Sequence, residues 1–194
     1  MVANTELQPE QRRGVHPLKF MLVLLLVSII MMFAAFTSAY IVRREEGNWL
    51  EFDLPNILII NTVILVLSSV FMQWSYVAAK RDNLKTLKLA LALTIVAGTA
   101  FLIGQWEAWG ELVHNNVYFG GSTANPSGSF MYVLTGVHAF HLVTGLIFLI
   151  IVVISAFRYR VHSKNLIRIE LCTIYWHFLG ALWVYLFFFL TLNH

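Results

Sequence analysis

Three histidines set deep inside apolar stretches have the clearest capacity for chemistry. His138 and His141 lie in the run Thr135-Gly136-Val137-His138-Ala139-Phe140-His141, followed by Thr144-Gly145, and His177 lies in Tyr175-Trp176-His177-Phe178. Imidazoles bind metals and haem iron, exchange protons near neutral pH and donate hydrogen bonds. A metal site on His138 and His141 needs further ligands, and no cysteine or carboxylate lies at comparable depth. A b-type haem held between two helices would use His177 with His138 or His141. The third reading is that each histidine hydrogen-bonds within a helix interface. On a helix, His138, His141 and Gly145 follow an i, i+3, i+7 spacing and share a face, where Gly145 lets another backbone come close. His177, Gly180 and Ala181 form a second small-residue seam at i, i+3, i+4.

The elements that hold these residues are membrane spans. Residues 130–157 carry no formal charge, and about 20 apolar residues cross a bilayer core. Comparable stretches cover 20–42, 57–79, 89–105 and 171–192. The chain is 59% hydrophobic and 12% charged, with a mean hydropathy of +0.73, which sets it apart from ordinary soluble domains. The expected fold is all-α, an integral membrane bundle of five transmembrane helices over residues 18–194. A polar tail over residues 1–17 precedes it. The tail does not read as a secretory signal, because the apolar run comes late and is too long. The single cysteine, Cys172, leaves no intrachain disulfide, and a dispersed net charge of +3 gives no reason to expect nucleic acid.

Polar residues within the spans add detail. Asn61, Ser68, Ser69 and Gln73 place much of the polarity of the second span on one side, which predicts hydrogen bonds to another helix. For Ser68 and Ser69, a bond back to their own helix serves equally well. Trp106, Glu107, Trp109 and Glu111 end the third span and suit the headgroup zone better than a catalytic carboxylate pair. Basic loops are expected over 80–88 and 158–168, and a turn-rich loop over 115–129.

Charge sets the expected orientation. Arg12, Arg13, Lys19, Lys80, Arg81, Lys85, Lys88, Arg158, Arg160, Lys164 and Arg168 fall on one side of a five-span chain, against Arg43 and Arg44 on the other. The positive-inside rule then predicts a cytoplasmic amino terminus and an outside carboxyl terminus. An odd span count, no internal repeat and no proline-broken span argue against a transporter.

Together these patterns resemble subunit III of the haem-copper respiratory oxidases, the cytochrome c oxidase and quinol oxidase family. The run T-G-V-H-A-F-H-L-V-T-G at 135–145 is similar to the family's T-G-x-H-x-x-H-x-x-x-G. Tyr175-Trp176-His177-Phe178 with Trp183 is similar to its Y-W-H-F followed by tryptophan. Looser matches are Asn61-Thr62 with Ser68-Ser69, Gly98-x-x-Phe101 with Gln105, and Gly128-Ser129-Phe130. Two positions depart from the family. Ile29 follows Ser28 where many members carry a membrane glutamate, so a proton-related role for that carboxylate does not carry over. Ala108 stands where some members are acidic, and Glu107 would point about 100° away on a continuing helix.

The resemblance implies the short five-helix bacterial form, multi-pass in the cell inner (plasma) membrane. It implies an accessory, non-catalytic subunit of a proton-pumping oxidase that reduces oxygen to water, with cytochrome c the expected donor and quinol the other. Haem and copper are expected in partner subunits I and II, with bound phospholipid here and with subunit IV or a respiratory supercomplex as further partners. Gly136, His138, His141, Gly145, Tyr175, Trp176, His177 and Trp183 are expected to pack helices or touch lipid, and none is expected to be catalytic, cofactor-binding or metal-binding. The alternative is a b-type haem-bearing electron carrier using His177 with His138 or His141.

Overall fold

The computed structural model describes residues 16–50, 52–121, 124–157 and 166–193. The polar tail up to residue 15 and most of the expected 158–168 basic loop lie outside the described residues. The rest forms five α-helices: α1 (Pro17–Glu45), α2 (Ile57–Lys80), α3 (Leu84–His114), α4 (Pro126–Phe157) and α5 (Ile167–Asn193). Each is long and apolar enough to cross a membrane. Among the described residues there is no strand, so the all-α five-helix reading holds.

Helix α2 begins where the hydropathy places it, whereas α3 exceeds its expected span at both ends. The Asn83 side chain accepts a hydrogen bond from the Thr86 amide at 3.2 Å, caps the helix and shortens the basic loop to residues 81–83. At its far end α3 continues through Trp106, Glu107, Trp109 and Glu111 to His114. Helix α4 starts at Pro126 and not at residue 130, because proline at a first helical position lacks only an N–H that would be unpaired there anyway. Hydropathy marks where a helix meets lipid; the backbone ladder runs on until a turn stops it.

Helices α2, α3, α4 and α5 form a ring, each packed against its two neighbours, and α1 lies in the groove between α4 and α5. Across the ring α3 and α5 make no close backbone approach, and the indoles of Trp176 and Trp183 fill the space between them. Trp176 is 1% exposed. A Cβ at Gly98 of α3 would sit 2.8 Å from its ring, so glycine is what lets that indole reach across. At Gly145 of α4 a Cβ would meet Leu179 at 3.0 Å.

Helix α1 is the most loosely held. It buries Ile29, Phe33, Thr37 and Tyr40 and exposes most of its other apolar side chains. Polar bonds fasten it to α5 at both ends. Lys19 pairs with Glu170 at 2.6 Å, Tyr185 donates to Thr37 at 3.2 Å, and the Tyr40 hydroxyl donates to the Asn193 carbonyl at 2.8 Å. The ion pair is partly exposed and contributes about 1 kcal/mol or less. Ile29 faces inward, so the position of the family's glutamate belongs here to the apolar contact of α1 with the bundle.

Candidate functional site

Trp176, Trp183 and His138 occupy the bundle centre, with the other signature residues set around them. Trp176 donates its indole N–H to the Ser68 hydroxyl of α2 at 3.0 Å, and Trp183 donates to Thr62 of α2 at 3.0 Å. Each hydroxyl passes the bond on to its own helix, Ser68 to the Leu65 carbonyl at 2.7 Å and Thr62 to the Leu58 carbonyl at 2.8 Å. The two sequence-based readings of Ser68 are therefore both correct. Trp109 of α3 repeats the motif, donating to Thr135 of α4 at 3.0 Å while Thr135 donates to the Met131 carbonyl at 2.7 Å. Three indoles thus suture two helix pairs through hydroxyls, α2 with α5 twice and α3 with α4 once.

His138 is fully buried. Its ring lies 5.0 Å from that of Trp183 and 5.9 Å from that of Phe101, with Phe101 and Trp183 edge-on at 4.8 Å. His141 turns toward α1, its ring 6.1 Å from Phe33, and its Nδ1 lies 2.8 Å from the Val137 carbonyl. A carbonyl only accepts, so Nδ1 carries the proton. Tyr175 shares a hydrogen bond with Thr144 at 2.9 Å, beside Gly145. His177 sits at the α2–α5 surface, 3.1 Å from the Gln73 side-chain oxygen, in an open groove with Ser69 and Trp74. Gly136 is half-buried and faces Trp109.

These positions decide the haem geometry. His138 packs next to Trp183, whereas His177 stands six residues earlier on α5, about 9 Å along the axis and on another side. Its partner is an amide on α2, and His141 faces α1. The three imidazoles enter no common cavity, so a bis-histidine haem does not fit this arrangement. Among the described residues no three His, Cys, Asp or Glu side chains converge on a metal position.

One residue of the tryptophan pair sits differently from its sequence reading. Trp106 is 72% exposed, as a lipid- or headgroup-facing indole would be, but Trp109 is half-buried and bonded to α4. The signal was periodicity, since Phe101, Gln105 and Trp109 follow one another at i, i+4, i+8 on a single face. His138 and His141 share a side of α4 only loosely, which leaves one enclosed and the other against α1. Ala108 is buried while Glu107 is exposed, as the helical rotation between them requires.

Comparison with known proteins gives one consistent result. The family model for cytochrome c oxidase subunit III matches residues 2–193. The chain is similar to the cytochrome c oxidase subunit 3 of Corynebacterium diphtheriae, with 29% identity over 81% of this chain and 79% of that one. It is 30% identical to the cytochrome c oxidase subunit 3 of Thermostichus vulcanus over 86% of this chain and 82% of the relative. A probable cytochrome c oxidase subunit 3 of Rickettsia bellii is 30% identical over 89% and 67% of the two chains.

The indole-to-hydroxyl suture is testable by a double-mutant cycle on heat stability. Trp176→Phe keeps an aromatic ring and Ser68→Ala removes the acceptor. The expected coupling is about 0.6 kcal/mol, the mean for such bonds between membrane helices. Strictly additive effects would mean that the bond contributes nothing.

Proposed function

Because this chain belongs to the cytochrome c oxidase subunit III family, we propose that it acts as an accessory, non-catalytic subunit of a proton-pumping haem-copper terminal oxidase. It packs on subunit I, retains phospholipid, and supports proton uptake and durable turnover while subunits I and II carry haem, copper and the chemistry. The observation that supports this reading most is how the signature side chains are used. Trp176, Trp183, Tyr175, His141 and His177 all bond groups of this same chain, and among the described residues no three His, Cys, Asp or Glu side chains converge on a metal position.

The face toward the partner narrows accordingly. A contact made through His138 is ruled out, because its ring is 0% exposed. His177 and Gln73 instead place a polar pair partway along a helix surface that is otherwise apolar. Polar groups at that depth normally face protein or water, so this surface suits a partner helix better than lipid. The bias of basic residues supports an amino terminus in the cytoplasm of a bacterial cell and a carboxyl terminus outside.

The reading predicts that His138→Ala, which opens a cavity beside Phe101 and Trp183, costs about 2 kcal/mol or more of stability. The complex should assemble less well or lose activity sooner during turnover, with an initial oxygen-consumption rate close to normal. A variant complex that assembles fully yet consumes no oxygen from the outset would refute the accessory role. Partners co-purified with the tagged chain and identified by mass spectrometry should include subunits I and II, and a copper-binding motif in subunit II would identify cytochrome c as donor. For orientation, a reporter active only after export, fused after His194, should be active; activity of a cytoplasm-only reporter there would reverse the assignment.

A further inference from the structure

Among the described residues four buried side chains carry polar atoms without a partner: the Trp49 indole nitrogen, set apart against Tyr40 and Phe130, and a group of three made up of the amide nitrogen of Asn61, both amide atoms of Gln105 and both ring nitrogens of His138. Asn61 and Gln105 are 1% exposed and His138 is 0% exposed. They come from α2, α3 and α4, and the surrounding contacts bring them to one level of the bundle. Along the antiparallel seam of α3 and α4, Phe101 meets His138, and two turns further on Trp109 bonds Thr135. Gln105 lies one turn from each of Phe101 and Trp109, so it faces the turn of α4 between Thr135 and His138. Asn61 lies directly against the α3 backbone at Gly104, the neighbour of Gln105. The next residue, Thr62, accepts from Trp183, whose ring touches that of His138.

The groups at the margin of this cluster are already committed. Thr62 and Thr135 each donate to a carbonyl of their own helix and accept an indole N–H. No partner subunit can supply the missing bonds, because this chain itself encloses the three side chains. Leaving them unpaired inside a bilayer would cost several kcal/mol for each group. The orphaned groups are of both kinds: two amide NH2 groups and one neutral imidazole bring five N–H donors. The amide oxygen and the second ring nitrogen are the orphaned acceptors that face them. A cation finds no carboxylate or thiolate here, and an apolar occupant satisfies nothing. The fitting ligand is small and both accepts and donates.

We infer that Asn61, Gln105 and His138 form a buried hydration site that holds ordered water at the junction of α2, α3 and α4. A water molecule bonded to two to four polar groups matches what the cluster offers. Bound there, it ties three helices that share no direct polar contact at this level. The site also gives His138 a role that its unpartnered ring otherwise lacks. This inference rests on the geometry of the bundle, whatever the subunit contributes to turnover.

The direct test is a cryo-electron microscopy map of the intact complex at a resolution that shows ordered water. Density within hydrogen-bonding distance of both the Gln105 amide and the His138 ring is expected. A dry site, with Gln105 and His138 bonded directly to each other, would overturn the proposal. Gln105→Leu and His138→Leu, made singly and together, give a second reading from the rate of heat inactivation of the complex. Each single change should speed inactivation about tenfold, and the pair by little more, because either one disrupts the same water. Neutral single changes, or a double change that multiplies to about a hundredfold, would contradict a shared hydrated site.

Discussion

A helix bundle in lipid gains little from burying apolar surface, because acyl chains are as apolar as leucine; close packing and polar bonds must hold the helices together. In this chain that work falls to an indole N–H donating to a hydroxyl on the next helix. Trp176 to Ser68, Trp183 to Thr62 and Trp109 to Thr135 each join two helices through one bond. The hydroxyl then donates to its own helix, so neither partner is left with an unpaired proton. Neighbouring features of the core accommodate these tryptophans. Gly98 clears the path for Trp176, Gly145 lets α4 approach α5, and Phe101 and His138 close around Trp183.

In this architecture the three histidines of the spans are turned to different partners. Ligation of one haem or metal would turn two or more imidazoles toward a common point. His138 is held between aromatic rings, His141 donates to the backbone of its own helix, and His177 bonds an amide on α2. At the two positions where the sequence departs from the pattern it resembles, Ile29 and Ala108 are buried and apolar. The interior is therefore built for packing, with its one concentration of unspent polarity at Asn61, Gln105 and His138.

Much of this was legible in the sequence. Uncharged apolar runs of about 17 to 28 residues give the number and order of the helices, and the two histidine-bearing motifs identify the family. Less visible were features that depend on what stands opposite a residue. Ser68 could bond its own helix or another, and only the position of Trp176 reveals that it does both. Trp109 looks like Trp106 in composition, yet a rotation of 300° along α3 puts one indole in the interior and leaves the other exposed. The ends of α3 were misjudged because hydropathy reports contact with lipid and is blind to the Asn83 cap. Spacing put His138 and His141 on one side of α4, but the difference of about 60° between them decides which is enclosed and which meets α1.

The central claim, a subunit that stabilises catalysis without performing it, is tested most directly by stripping this chain from the purified oxidase. Haem, copper and oxygen consumption would then be measured in the stripped core and in the released chain. The account predicts that all haem and copper stay with the core, that its initial rate per haem is close to that of the intact complex, and that its activity then decays sooner. Haem or copper leaving with this chain, or a metal-replete core that consumes no oxygen from the first turnover, would contradict it.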